Sequence, residues 1–136
     1  MRHVILLLTF AILTYLTILH ATALPAACPD TGPIQCNTVL HSAGSHWLGI
    51  PLVLWGLGWT VSGWFWPVRS SSIWLWIGTG LGGVVWGVSH EWALHLLCLW
   101  CTGAQLGILT VIGLTIAQRF HPISASSQEA ITHDAL

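Results

Sequence analysis

Hydrophobic positions in this chain run together and do not alternate with polar ones. Four stretches carry no charged residue, Val4 to His20, Leu48 to Trp66, Ile73 to Ser89 and Ala93 to Ala117. Each is close to the roughly 17–25 apolar residues that a helix needs to cross a hydrocarbon core. No strand-like alternation competes with this pattern. Glycines inside the second, third and fourth stretches, Gly56, Gly80 and Gly107 among them, suit close approach of helices in lipid. The pattern predicts an all-α membrane protein, a four-transmembrane-helix bundle. A long loop, Ala21 to Trp47, joins the first two helices, and two short connections join the rest. Residues 1–120 form the membrane domain, and a polar tail over 121–136 is expected to lack order.

Composition narrows the solvent. Of 136 residues, three are Arg or Lys and four are Asp or Glu, while 54% are hydrophobic and ten are Trp. Roughly a quarter of an ordinary soluble domain is charged, so too few polar groups exist here to cover a water-soluble globule. A formal charge of −1 without a basic cluster excludes a nucleic-acid partner, because phosphate binding needs grouped Lys and Arg. Most of the tryptophans, Trp47, Trp64, Trp66, Trp74, Trp76 and Trp92, fall near span ends, where their rings suit the membrane interface. Trp55, Trp59, Trp86 and Trp100 are the ones available to line an interior pocket.

The arginines set an orientation. Arg2 precedes the first helix, Arg69 lies between the second and third, and Arg119 follows the fourth. Basic residues are retained on the cytoplasmic side, so both termini are expected in the cytoplasm of a multi-pass cell-membrane protein. The first and third loops then face the extracytoplasmic side, with Asp30, Glu91, Cys28 and Cys36. A second reading of the first span stays open: Met1-Arg2-His3, an apolar run and Ala21-Thr22-Ala23 together look like a secretory signal with its cleavage site.

Four cysteines fall into two pairs. Cys98-Leu99-Trp100-Cys101 has i, i+3 spacing, which places both sulfurs on one helix face near its outer end. Cys28 and Cys36 enclose seven residues, Pro29, Gly32 and Pro33 among them, in a loop too irregular to be helical throughout. One pair fixed at the membrane boundary and one on a movable loop outside it are what a thiol relay requires, because exchange passes through mixed disulfides. Two alternatives remain: a purely structural loop disulfide, and a Cys/His metal-binding or metal-transport membrane protein in which His90 or His95 joins the sulfurs as ligands.

The loop pair, Ser42 six residues after Cys36, Gly49-Ile50-Pro51 at the start of the second helix and Cys98-x-x-Cys101 in the fourth together resemble the vitamin K epoxide reductase family. The likeness covers nearly the whole chain and is most specific from Cys36 to Pro51 and at the last pair. The disulfide-bond formation protein B family has the same chemistry but the reverse order of pairs. The resemblance implies a membrane thiol:quinone oxidoreductase of the prokaryotic kind, with a ubiquinone- or menaquinone-type quinone as electron acceptor. Many bacterial relatives carry a fused thioredoxin-like domain, whereas this chain ends about twenty residues after the fourth helix. A separate thioredoxin-like extracytoplasmic dithiol partner is therefore expected.

On this resemblance the catalytic residues are Cys28, Cys36, Cys98, Cys101 and Ser42. Cys101, one turn deeper than Cys98, would face the quinone, Cys98 would resolve against Cys36, and Cys28 would exchange with the partner. A thiol in apolar surroundings needs help to ionise. Cys98 is expected more than a turn inside its helix, where the macrodipole has faded, so Ser42 is the expected hydrogen-bond donor. His95, Cys98, Cys101 and Gln105 form a polar stripe on an apolar helix, which should face the bundle interior. Gln105, Trp100 and His95 are accordingly the expected quinone contacts beside Cys101, with no metal ligand assigned.

Overall fold

A computed structural model of the chain describes residues 1–29 and 31–120. Asp30, assigned above to the outer loop, and the tail over 121–136 lie outside the described residues. The described chain is mostly helical. Helix α1 spans Arg2–Thr22, followed by the short α2 (Cys36–Leu40) and a single 3-10 turn over Ala43–Ser45. A minimal hairpin, β1 (His46–Trp47) and β2 (Ile50–Pro51), leads into α3 (Leu52–Phe65), then α4 (Ile73–Leu94) and α5 (Leu99–Phe120).

Why α1 is a helix of this kind is visible in its burial. Leu6, Thr9, Leu13, Leu16 and Leu19 recur at three- and four-residue steps and are buried, whereas Val4, Leu7, Leu8 and Ile18 are exposed. A soluble helix would present polar side chains on that outer face. Leu75 and Val85 on α4 and Leu106 on α5 repeat the pattern, so the bundle is apolar outside as well as inside. Helices α1 and α5 are each long and apolar enough to cross a membrane. α3, at 14 residues, rises only about 21 Å.

Three expected spans are corrected at their outer ends. The second begins at Leu52 instead of Leu48, because Leu48 (φ 53°) and Gly49 (φ 78°) take left-handed conformations and turn the hairpin. Pro51, which has no N–H to place in a ladder, then caps the helix. The third and fourth spans shift together. α4 continues to Leu94, five residues past Ser89, and His95 (φ 52°) closes it in the left-handed conformation. α5 starts at Leu99 rather than Ala93.

Helix α1 packs against α3 and α5, and α4 packs against the same two. At one end the three arginines gather. Arg2 Nη2 donates to Gly63 O at 2.7 Å, Arg119 Nη1 donates to Val68 O and Ser70 O at 3.0 Å, and Arg69 lies in the same connection. The four cysteines are at the other end. Between them, Trp59 stacks on Trp76 with ring centroids 4.1 Å apart, each indole N–H donating to the other's carbonyl oxygen.

Glycine permits that stack. A Cβ at Gly80 would lie 2.6 Å from the Trp59 ring, and one at Gly63 would lie 2.7 Å from Trp76. Gly80→Leu therefore has to push the stack apart, and overpacking of this sort costs about 1–3 kcal/mol. A lowered melting temperature in detergent is expected. An unchanged one would mean that the Trp59–Trp76 contact does not hold α3 to α4.

Candidate active site

The loop between α1 and α2 is tied down by hydrogen bonds that carry its cysteines to the start of α5. Leu97 N donates to Pro33 O at 2.8 Å and Gln35 N donates to Leu97 O at 3.1 Å, a two-bond parallel bridge between the loop and the α4–α5 joint. Cys36 and Cys98, both fully buried, consequently share one apolar cluster, with Cys28 and Cys101 packed against it. Cys28 and Cys36 are joined as a disulfide, their Cα atoms 6.2 Å apart. Cys98 and Cys101 are thiols. Cys28, half-buried, is the more accessible sulfur of the loop pair.

Cys98 does not sit inside its helix. It is the residue immediately before α5, and its carbonyl oxygen accepts from Thr102 N at 2.9 Å, the first turn of that helix. Its sulfur accepts from Cys101 N at 3.3 Å, the bond an N-cap side chain makes to the third helical residue. The Cys101 thiol and then the backbone N–H groups hold the Cys98 thiol below the usual cysteine range, against the opposing effect of burial. The thiolate aid expected from Ser42 is supplied instead by the Cys101 thiol and, after it, by the backbone at the helix N-terminus.

Ser42 is engaged differently from the expectation. Its hydroxyl donates to Val39 O at 2.7 Å, and its oxygen lies 2.6 Å from His90 Nε2. A hydroxyl has one proton, so His90 Nε2–H is the donor in the second bond. Ser42 thus fixes the His90 ring and is hydrogen-bonded to neither sulfur among the described residues. The ring lies directly over Gly44, where a Cβ would collide with it.

A cavity of about 910 Å³ opens inside the bundle from this end, within the range typical of small-molecule sites. Cys101 lines it and Cys98 does not. His20, His90, Glu91 and Gln105 also line it, and the walls are mostly apolar, with Leu13, Val84 and Ile108 among them. Leu54, Trp55, Leu75 and Trp86 line the cavity and are also exposed on the outer surface of the bundle, so it opens sideways between α3 and α4.

Of the expected quinone contacts, Cys101 and Gln105 line this cavity, and Trp100 and His95 do not. The polar stripe is broken at His95, which is exposed and ends α4 rather than continuing into α5. Trp100 points to the loop: its Nε1 donates to Ala27 O at 3.0 Å and its ring meets Tyr15 at 4.9 Å. Tyr15 OH in turn accepts from Ala27 N at 3.1 Å, and Asn37 Oδ1 accepts from Ala26 N at 2.8 Å. These bonds hold the segment that carries Cys28. Trp55, Trp59 and Trp86, three of the four tryptophans available for an interior pocket, line the cavity, and Trp47, Trp66 and Trp76, expected at interfaces, line it as well.

Glu91 is the residue that sequence reasoning misplaced. Assigned to an outer loop, it lies within α4, is 6% exposed and faces the cavity, where Gln105 Nε2 donates to its Oε1 at 3.4 Å. The signal was present, because an ionisable residue beside an apolar span is a functional candidate by default. Among the described residues no three His, Cys, Asp or Glu side chains are grouped to hold a metal ion.

No curated protein and no solved structure gives a significant match to this sequence. Among protein-family models, that of the Vitamin K epoxide reductase family matches residues 2–116. With the loop disulfide, the thiol pair at the head of α5 and the apolar helices, that match identifies the chain as a member of the vitamin K epoxide reductase family of membrane oxidoreductases.

Proposed function

We propose that this protein is a membrane thiol:quinone oxidoreductase that forms disulfides in a separate, extracytoplasmic thioredoxin-like partner. Two electrons enter at Cys28, pass through Cys36 to Cys98 and leave from Cys101 to a ubiquinone- or menaquinone-type acceptor. The observation that carries this reading is the continuity of sulfur from surface to cavity. Cys28 is partly accessible, Cys36 and Cys98 share one buried cluster, and Cys101 lines an apolar cavity open toward the outer surface of the bundle. A lipid-soluble acceptor can reach such a cavity from the bilayer, whereas a protein dithiol can reach only the loop.

In this reading residues 1–120 are the membrane domain and all four long helices cross the bilayer. The arginine end is cytoplasmic, with both termini, and the cysteine end is extracytoplasmic. Oxidising conditions outside the cytoplasm suit the Cys28–Cys36 disulfide. Ser42 acts by holding His90, and Gln105 acts at the cavity wall.

The chemistry of each step follows from these positions. The reduced loop pair attacks the Cys98–Cys101 disulfide through Cys36, restoring its own disulfide and leaving Cys98 and Cys101 reduced. The pair then closes again as two electrons pass to the quinone. The purified protein, given a reduced thioredoxin-fold dithiol protein and a soluble ubiquinone or menaquinone analogue, should turn over many equivalents of quinone, followed by its absorbance. Absence of turnover with both quinone types would overturn the proposal.

A further inference from the structure

We propose that Glu91 is the acid that protonates a quinone oxygen as the Cys98–Cys101 disulfide closes. The inference rests on the thiol:quinone reading above and deepens it by supplying the proton that this chemistry lacks.

The balance is as follows. Forming the S–S bond between Cys98 and Cys101 releases two electrons, and a quinone that accepts them must gain two protons, one on each oxygen. In this step Cys98, whose sulfur accepts from Cys101 N at the head of α5, reacts as the thiolate and brings none. The S–H bond of Cys101 breaks and provides the first. The second has to come from another group facing the same cavity.

Glu91 is placed for that step. It is almost fully buried and lines the cavity together with Cys101. Its polar partners are neutral, the Gln105 amide and the Thr102 hydroxyl, both on α5. The arginines are at the opposite end of the bundle and cannot pair with it. The other titratable groups around it are few. His90 precedes it on α4 with its ring turned to Ser42, His20 lines the cavity from α1, and Cys98 and Cys101 lie at the head of α5. Gly87, one turn earlier on α4, leaves room for the amide, since a Cβ there would lie 2.8 Å from Gln105 Nε2. Gln105 is thereby a positioning residue for the carboxyl.

In the step itself the carboxyl O–H bond breaks and an O–H bond forms on one quinone oxygen, while the Cys101 proton goes to the other. When the loop dithiol next reduces the Cys98–Cys101 disulfide, Cys28 and Cys36 lose two protons. One goes to Cys101 and one returns to Glu91, so the cycle closes without a further acid.

The test is quinone reduction as a function of pH, with the purified protein, a reduced thioredoxin-fold dithiol protein and a soluble ubiquinone analogue. The parent should show a rising limb, as thiolate forms, and a falling limb at higher pH, as the acid is lost. Glu91→Gln should be slower by about 10²–10⁴-fold and should lose the falling limb, and Glu91→Asp should keep that limb at an intermediate rate. Parental rate or a parental pH profile in Glu91→Gln would overturn the role of Glu91. Should that variant fail to fold, a parent profile without a falling limb, or a Glu91→Asp profile without one, would do the same. No quinone reduction in the parent would overturn the thiol:quinone reading itself, which separates the two failures.

Discussion

Cys101→Ala is expected to lower quinone reduction by at least about 10³-fold, a loss of about 4 kcal/mol of transition-state stabilisation. Cys101 is the cysteine in the cavity wall, and Cys98 is fully buried behind it. Without Cys101 no sulfur faces the acceptor, and Cys98 has no partner in α5 with which to close a disulfide. The fall should appear in kcat, with KM for the quinone nearly unchanged, because one small side chain contributes little to a cavity of about 910 Å³. Measuring both constants for Cys101→Ala and Cys101→Ser checks this. Retained turnover in either would place the electron-delivering sulfur elsewhere.

The second large effect falls on the loop. Cys28→Ala and Cys36→Ala should each cut partner-driven turnover by about 10²-fold or more, since Cys98 is fully buried and Cys36 is the sulfur packed into its cluster. Both variants also lose a disulfide that spans eight positions of sequence, a ring whose closure stabilises by about 2–3 kcal/mol in the chain-entropy view. The loop should nonetheless stay in place. The Leu97 bridge to Pro33 and Gln35 and the bonds to Ala26 and Ala27 from Asn37, Tyr15 and Trp100 do not depend on the disulfide. This independence is what a catalytic disulfide needs, because it opens in every cycle. Partner oxidation measured in single turnover, beside melting temperature, separates the two effects. Partner-driven rates at the parental level in both variants would show that the partner bypasses the loop.

Sequence reading reached the helical architecture and the pairing logic of the cysteines because both leave local traces. The apolar runs mark the helices, and the positions of Arg2, Arg69 and Arg119 mark one end, which the hydrogen bonds of Arg2 and Arg119 then join. The joint between α4 and α5 left none. Residues 93–117 carry no charge, and the break is made by His95 in a left-handed conformation, without the Gly or Pro that commonly announces one. That hidden break displaced three assignments at once. Cys98 moved from the body of a helix to its N-cap, His95 left the polar stripe, and Trp100 turned from the cavity to the loop.

Glu91 was lost for a related reason. A charge was read as the end of a span, yet α4 runs past it to Leu94, and a carboxyl that meets an amide and a hydroxyl can remain inside. Ser42 was found by its spacing from Cys36, but its bond to His90 joins residues 48 positions apart and depends on how the 3-10 turn meets α4. No sequence period reports such a contact.

The relay is tested most directly in a variant that keeps only the two sulfurs at its centre. Cys28→Ala combined with Cys101→Ala leaves Cys36 and Cys98 as the chain's cysteines. After mild oxidation, alkylation and mass analysis of the cleaved protein should find these two joined within one chain and closed to the alkylating reagent. Two alkylated thiols, or links only between separate chains, would contradict transfer from the loop to the head of α5.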